Sequence, residues 1–346
     1  MKDFNNLSIG GKLYSKNELL ELSANMDEKP NWSLDFCLFI QQWLNDSVSI
    51  KVNTSGSTGK AKSIEISKAK MLVSAAMTCD FFNLRKGDTA LLCLSPKHIG
   101  GMMMIVRALY AKLNLILKLP NANPLEDVND KINFIALVPY QVKTILDQNP
   151  EKLAKIPHVI IGGGQLDFAL QQSLQHHQVE SYSTFGMTET ISHIALQKIG
   201  SEGQYTCLDG IHVERSSRGT ITVHAPSLME EPLETNDLIE LISSKQFKWL
   251  GRTDFAIESG GLKFIPEAIE RKLESKIQGR FIISSRPHLK LNNELIIIIE
   301  GEQSFLDAHL FDSLGKYEQP RAVFFVKALA ETANGKIDRI KSRLLI

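Results

Sequence analysis

The stretch FIALVPYQVKTILDQNPEKLAKIPHVIIGGGQ, residues 134–165, decides the fold class. Phe134–Val138 is a short, continuous apolar run of the kind a fully buried strand needs. Pro139–Asp147 follows with helical periodicity. A second apolar run, Val159–Ile161, then runs straight into Gly162-Gly163-Gly164. Strand, helix and strand in this order form a crossover, and repeated crossovers build a parallel sheet covered by helices.

The same alternation extends towards the N-terminus. Lys68–Phe82 has helical periodicity, Ala90–Leu94 is an apolar run ending in Ser-Pro, and Gly101–Leu113 reads as a mostly buried helix before the strand-like Leu115–Leu119. Ser15–Ala24 reads as a helix capped by Ser15, and the polar Asp27–Trp32 with Pro30 as a connector. Past about Thr206 the pattern changes to short, turn-separated strands at His212–Val213, Gly219–His224, Asp237–Ile242 and Lys248–Leu250. After Gly251-Arg252-Thr253-Asp254 a third pattern begins, with a helix near Pro266–Ile277 and strands near Phe281–Ser284, Leu295–Glu300 and Arg321–Val326. The expected class is α/β. A large N-terminal domain, 1–253, combines a parallel helix-covered sheet with a small β-rich unit, and a small α+β domain spans 254–346.

Composition narrows the function. The 346 residues carry 39 basic and 39 acidic side chains, with 43% hydrophobic and 23% charged, ordinary for a soluble globular protein. Such a balance argues against a broad nucleic-acid footprint, which needs clustered Lys and Arg. Cys37, Cys79, Cys93 and Cys207 are far apart and form no CxxC pair, so a reducing compartment is the simplest context. No signal peptide is apparent at the N-terminus. The most apolar long segment, Ile99–Leu117, is interrupted by Arg107 and Lys112 and falls short of the roughly 20 apolar residues a membrane span requires. A cytoplasmic protein without a membrane span is expected.

Thr54-Ser55-Gly56-Ser57-Thr58-Gly59-Lys60-Ala61-Lys62 carries the strongest chemical signal. Two glycines let the backbone approach a phosphate chain and turn N–H groups toward it, four hydroxyls add donors, and Lys60 and Lys62 add charge. The glycines lie three apart, so this is not the GxxxxGK[ST] loop. A flexible Ser/Gly linker is the bland alternative, and the hydroxyl–glycine–lysine order speaks against it.

This loop resembles the phosphate loop of the adenylate-forming superfamily, which includes the acyl- and aryl-CoA ligases. Six further segments follow in that superfamily's order. Ser95-Pro96-Lys97-His98-Ile99-Gly100-Gly101 is similar to the segment with a histidine at the acyl pocket, although a lone histidine at a helix start is more often a satisfied core residue. Ile161–Gln165, with Gly163, Gly164 and Gln165, resembles the turn that holds adenine; a triple glycine alone is weak evidence. Thr184-Phe185-Gly186-Met187-Thr188-Glu189-Thr190 is nearly the superfamily's YGMTE core. Phe185 in place of Tyr keeps a face for stacking on adenine and loses a hydroxyl, and Glu189 suits a hard Mg²⁺ ion. Thr235-Asn236-Asp237 matches the T-G-D element that binds ribose, and Asn236 tolerates a left-handed backbone better than most residues. Gly251–Asp254 with Ser259–Lys263 resembles the hinge and the loop after it. Ala333-Asn334-Gly335-Lys336-Ile337-Asp338-Arg339 matches the segment bearing the catalytic lysine.

The resemblance implies an ATP-dependent ligase working in two half-reactions. A carboxylate attacks the α-phosphate of ATP, with Lys336, Glu189 and Thr188 as catalytic residues and Mg²⁺ held by Glu189. The small domain then turns about Asp254, and a thiol, coenzyme A, takes the acyl group while AMP leaves. Phe185, Gly186 and Met187 would face the nucleotide, Asp237 and Arg252 the ribose, and Gly260 and Gly261 would line the pantetheine path. The continuation Thr188-Glu189-Thr190-Ile191-Ser192-His193 and the His98 segment are most similar to the o-succinylbenzoate–CoA ligases of menaquinone synthesis. Such an acid has two carboxylates, which makes His98, Gly100, Ser192 and His193, with Lys97, the substrate-site candidates. Another aryl- or acyl-CoA ligase, an enzyme loading a separate carrier protein, and a non-catalytic nucleotide-binding homologue are the alternatives. Leu7–Leu19 resembles the superfamily's start, yet the phosphate loop follows by residue 54. A shortened first subdomain would leave an apolar face, which makes a homodimer plausible.

Overall fold

Short apolar runs bury their backbone polar groups only by pairing on both sides, and the parallel array around Phe134–Leu137 is the outcome. The computed structural model describes residues 4–24, 33–53, 63–277, 279–303, 306–332 and 337–346. The Thr54–Lys62 loop and the segment 333–336 with Lys336 lie outside the described residues. The chain divides into two units, one made of 1–162, 174–212 and 224–232, the other of 163–173, 213–223 and 233–346.

In the first unit six parallel strands stand in the order Leu7–Ile9, Asn114–Leu117, Thr89–Leu92, Phe134–Leu137, His158–Ile161, Ser181–Gly186. Their register sets Leu91 opposite Ile116 and Ile135, and Leu137 opposite Ile161. Antiparallel strands extend both ends, Lys12–Tyr14 at one and His193–Lys198 then Tyr205–Cys207 at the other. Thr89–Leu92 has a later strand on each side, so the chain direction of the sheet reverses there. In open α/β sheets ligands bind outside the carboxyl ends of the strands at such a switch point. The segment leaving that strand end is Cys93–Gly101, which holds His98.

The helix that follows, Ile99–Ala111, explains the sharp exit. A Cβ on Gly101 would stand 2.4 Å from the Ser95 carbonyl oxygen, so only glycine permits the close return. Nearly all its side chains from Gly101 to Leu109 are buried. Lys112 ends the helix in the left-handed region, φ 56°. Lys68–Phe81, Pro139–Gln148 and Lys16–Ala24 are the other expected helices. Ser15 caps the last of these, and its N–H donates to Glu18 at 2.8 Å. All four cysteines are free and buried, and burial pushes the Cys79 and Cys93 thiols up to about 12, which leaves them unreactive. Leu34 and Leu38 of the Leu34–Leu44 helix are exposed. Among the described residues no helix is long and apolar enough to cross a membrane.

The second unit joins antiparallel strands Thr220–His224, Leu233–Ser243 and Gln246–Arg252, with Asp237 opposite Arg252. A hairpin, Ile257–Ser259 and Leu262–Phe264, leads to the helix Pro266–Leu273. A three-stranded sheet then pairs Phe281–His288 with Asn292–Glu300 antiparallel, and the latter with Ala322–Val326 parallel. Alternate residues of Asn292–Glu300 enter two apolar clusters, Leu295, Ile297 and Ile299 one, Ile296 and Ile298 the other. The expected pivot Asp254 lies inside this second unit.

Candidate active site

In the first unit the strand Ser181–Gly186 delivers Phe185, buried and edge-on to Tyr205 at 5.8 Å between ring centres. The turn after it is tight. A Cβ on Gly186 would meet the Ser192 carbonyl oxygen at 2.3 Å. Thr190, fully buried, accepts the Met187 N–H at 3.0 Å and donates to the Ser192 carbonyl at 2.8 Å. Between them Ile191 sits at φ 69°, a backbone region that costs a β-branched residue about 1–3 kcal/mol. The Thr190 hydrogen bonds hold this strained turn, which presents Thr188 and the exposed Glu189 on one side and returns Ser192 on the other.

Ser192 meets a residue that the sequence reading treated only as an interruption. Arg107 is 1% exposed, and its Nη2 donates to Ser192 Oγ at 2.9 Å. Nη1 lies 3.9 Å from Met104 Sδ, a weak acceptor, and Nε has no partner among the described residues. Nor does any carboxylate there pair with it. Burial pushes its pKa down to about 10, with Cys79 beside it opposing. The charge survives at neutral pH.

His193, a substrate-site candidate from the sequence, is buried. Its Nε2 is paired with Thr78 Oγ1 at 3.1 Å in the core. Burial, with the Arg107 charge adding to it, holds its pKa well below the ordinary value, so the ring is neutral. His98 and Lys97 are exposed at the start of the Ile99–Ala111 helix, where the His98 carbonyl accepts the Met102 N–H, and Gly100 packs near Leu94. Arg107 is the buried cation near Ser192. Its signal in the sequence was a lone charge inside an otherwise apolar helix, since arginine is almost never fully buried without a partner.

In the second unit Asp237 is 5% exposed and takes three donors: Trp249 Nε1 at 2.9 Å, Thr235 Oγ1 at 3.1 Å and Arg252 Nη1 at 3.3 and 3.4 Å. The Arg252 contacts are the longest of the three. Arg252 also grips Asp254 at 2.5 and 3.0 Å. Burial alone would lower its pKa, but Asp237 and Asp254 outweigh it and the pKa rises. Asn236 does not use a left-handed backbone; its side chain donates to Asp254 at 2.8 Å instead. Gly163 has φ 80°, with Gly164 half-buried and Gln165 exposed beside it. Gly260 and Gly261, at φ 58° and 79°, turn the hairpin, and the Gly260 N–H donates to the Leu291 carbonyl at 2.9 Å.

A family model for AMP-binding enzymes matches residues 20–228. The chain belongs to the AMP-binding enzyme family. The adenylate-forming expectation is met. This AMP-binding enzyme is 26% identical over 322 residues to the 2-succinylbenzoate–CoA ligase of Lactococcus lactis, covering 85% of this chain and 70% of that one. It is 30% identical to the acyl-CoA synthetase (AMP-forming)/AMP-acid ligase II-like protein of Dyadobacter fermentans, whose crystal structure matches with a TM-score of 0.61 over 91% of this chain and 94% of that one. The o-succinylbenzoate coenzyme A synthetase of Bacillus subtilis, in complex with ATP and magnesium ion, shares the fold at a TM-score of 0.75 and 15% identity, over 98% and 97% of the two chains.

For an AMP-binding enzyme the metal question turns on Glu189. Among the described residues no group of three His, Cys, Asp or Glu gathers to hold an ion, and nothing engages the Glu189 carboxylate. One free carboxylate fits Mg²⁺, which usually takes one or two carboxylates and completes its shell with water and substrate phosphates.

Proposed function

We propose that this AMP-binding enzyme is an AMP-forming acid–CoA ligase whose acid is o-succinylbenzoate, in menaquinone synthesis. The observation that carries the choice of acid is the buried Arg107 guanidinium with no carboxylate partner among the described residues. Burying an unpaired charge costs several kcal/mol. Met103, Met104, Ile105 and Val106 on the same helix are fully buried, at about 1.5–3 kcal/mol each, so the fold can carry that cost. A substrate carboxylate would complete the pair, with Ser192 as the second donor. A mono-acid leaves nothing for Arg107 once its only carboxylate is used in the reaction. Relatives named for a two-carboxylate acid support the same choice.

The remaining roles follow the superfamily's. By that resemblance Phe185, Gly186 and Met187 face the nucleotide, and the Gly163-Gly164-Gln165 turn takes the adenine. Asp237 and Arg252 take the ribose. The Thr54–Lys62 loop and Thr188 hold the phosphates, and bound Mg²⁺ on Glu189 would offset phosphate charge. Lys336 neutralises the charge that builds as the carboxylate reaches the α-phosphate. Residues 254–346 act as a lid turning at Asp254, after which coenzyme A enters along Gly260 and Gly261. Use of ATP and coenzyme A fits a cytoplasmic reaction.

A panel of acids tests the assignment: o-succinylbenzoate, benzoates and fatty acids, each with ATP, Mg²⁺ and coenzyme A, assayed for AMP and thioester. o-Succinylbenzoate is expected to give the highest kcat/KM. Activity confined to benzoates or fatty acids would overturn the acid and keep the ligase. In the ribose site, Asp237→Ala is expected to weaken ATP binding about tenfold or more, the value of a charged hydrogen-bond pair. Calorimetry showing unchanged ATP affinity would remove Asp237 from that site.

A further inference from the structure

Trp249 reaches Asp237 through an irregularity of the strand that carries it. Along Leu233–Ser243, Asp237 and Ile239 are two residues apart and share a face of the sheet. Their partners on Gln246–Arg252 are Arg252 and Trp249, three residues apart, with Leu250 unmatched where the register shifts. In a regular strand an odd separation puts two side chains on opposite faces. The extra residue turns Trp249 back to the face of Asp237 and Arg252. Bulges of this kind re-aim a side chain and are over-represented beside active sites. Gly251 permits this one: its φ is 142°, and a Cβ there would stand 2.5 Å from Ile265 Cγ2.

The re-aimed indole is held from behind. Arg271 Nη2 donates to the Trp249 carbonyl at 2.7 Å, and its guanidinium lies 6.0 Å from the ring centre. An indole has a single N–H, and here it donates to Asp237 Oδ1 at 2.9 Å. Oδ2 accepts from Thr235 Oγ1 at 3.1 Å, and Arg252 Nη1 straddles both oxygens at 3.3 and 3.4 Å. The terminal torsion of an aspartate is broad, so its own rotamer does not fix the plane of the carboxylate. The donors around it do, and Trp249 is the shortest of them. Two adjacent ribose hydroxyls are met together only by oxygens whose lone pairs point in set directions.

We propose that Trp249 is a positioning residue for nucleotide choice: its N–H fixes the plane of the Asp237 carboxylate, so that the site prefers ribonucleotides to deoxyribonucleotides. The inference rests on the reading of Asp237 as the ribose acceptor. A neutral, stiff donor orients the carboxylate without cancelling the charge that a hydroxyl donates to. Without that donor the carboxylate can turn, and its hold on the hydroxyls weakens more than the hold of the site on the rest of the nucleotide.

The test is calorimetry of ATP, 2′-deoxy-ATP and 3′-deoxy-ATP with Mg²⁺ on the full chain. The wild-type protein is expected to bind ATP about tenfold or more tightly than at least one of the two analogues, the value of a hydrogen bond to a charged group. Trp249→Phe keeps an aromatic ring and removes the N–H, and that preference is expected to fall about threefold or more. Benzothienylalanine at position 249 keeps the two-ring frame with sulfur in place of the N–H. It is expected to give the same loss, and it decides the matter if the Phe variant does not fold. Equal weakening of all three nucleotides, with the wild-type preference intact, is what a merely structural Trp249 would give, and it overturns the proposal. Asp237→Ala isolates the underlying reading. If the preference is absent from the wild type or survives in Asp237→Ala, the ribose reading itself falls. If Asp237→Ala abolishes a preference that the variants at position 249 retain, only the role of Trp249 falls.

Discussion

Lys336→Ala is expected to lower ATP–pyrophosphate exchange by about 10²–10³-fold or more, while a supplied acyl-adenylate is still converted to thioester. The asymmetry follows from where charge develops. In the first half-reaction a carboxylate approaches a phosphate that is itself anionic, and a preorganised cation acts most strongly on the transition state between them. In the second, a thiol attacks an activated carbonyl and AMP leaves, with no new pair of anions brought together. A lysine that serves only the first step can be withdrawn for the second, which is the purpose of a lid that turns. Arg339, three residues later in the sequence, is fastened to Glu270. Equal loss in both half-reactions would contradict this division of labour.

Arg107→Gln is expected to cut kcat/KM for o-succinylbenzoate by about 10²-fold or more, since a buried charge pair broken on one side costs about 2–5 kcal/mol. The same change should raise the thermal midpoint of the ligand-free protein. Gln removes a buried charge whose company is one hydroxyl, one thioether and the Phe134 ring at 6.0 Å, none of them an anion, so the folded state is relieved of a desolvation cost. Lost activity with gained stability marks a residue kept for its ligand. A thermal melt that falls together with activity would make Arg107 a structural residue. Arg107→Lys keeps the charge but not the planar fork, and should recover only part of the activity.

Much of the fold was legible because the first unit's parallel strands are buried on both faces, so apolar runs such as Phe134–Val138 and Val159–Ile161 carry their own signature. The strand ends shifted by a residue or two, and helix Pro266–Leu273 stops short of Ile277. What local pattern could not carry was partnership at long range. Nothing near His193 in the chain reveals its partner Thr78, 115 residues away. Arg107 showed as a charge in an apolar segment, but only the sheet and helix around it reveal that the charge is buried. Asn236 was credited with the turn's backbone when its side chain, holding Asp254, is what the turn uses. Segments 163–173 and 213–223 join the later chain through contacts made across the sequence, which no periodicity records.

The central claim is that a buried guanidinium reads a second carboxylate. It is tested most directly by comparing kcat/KM of the wild-type protein for o-succinylbenzoate with that for each mono-acid analogue, the informative one being that which keeps the reacting carboxylate and lacks the other. The account predicts a preference for the diacid of about 10²-fold or more over either analogue. Equal use of the diacid and a mono-acid analogue would contradict it.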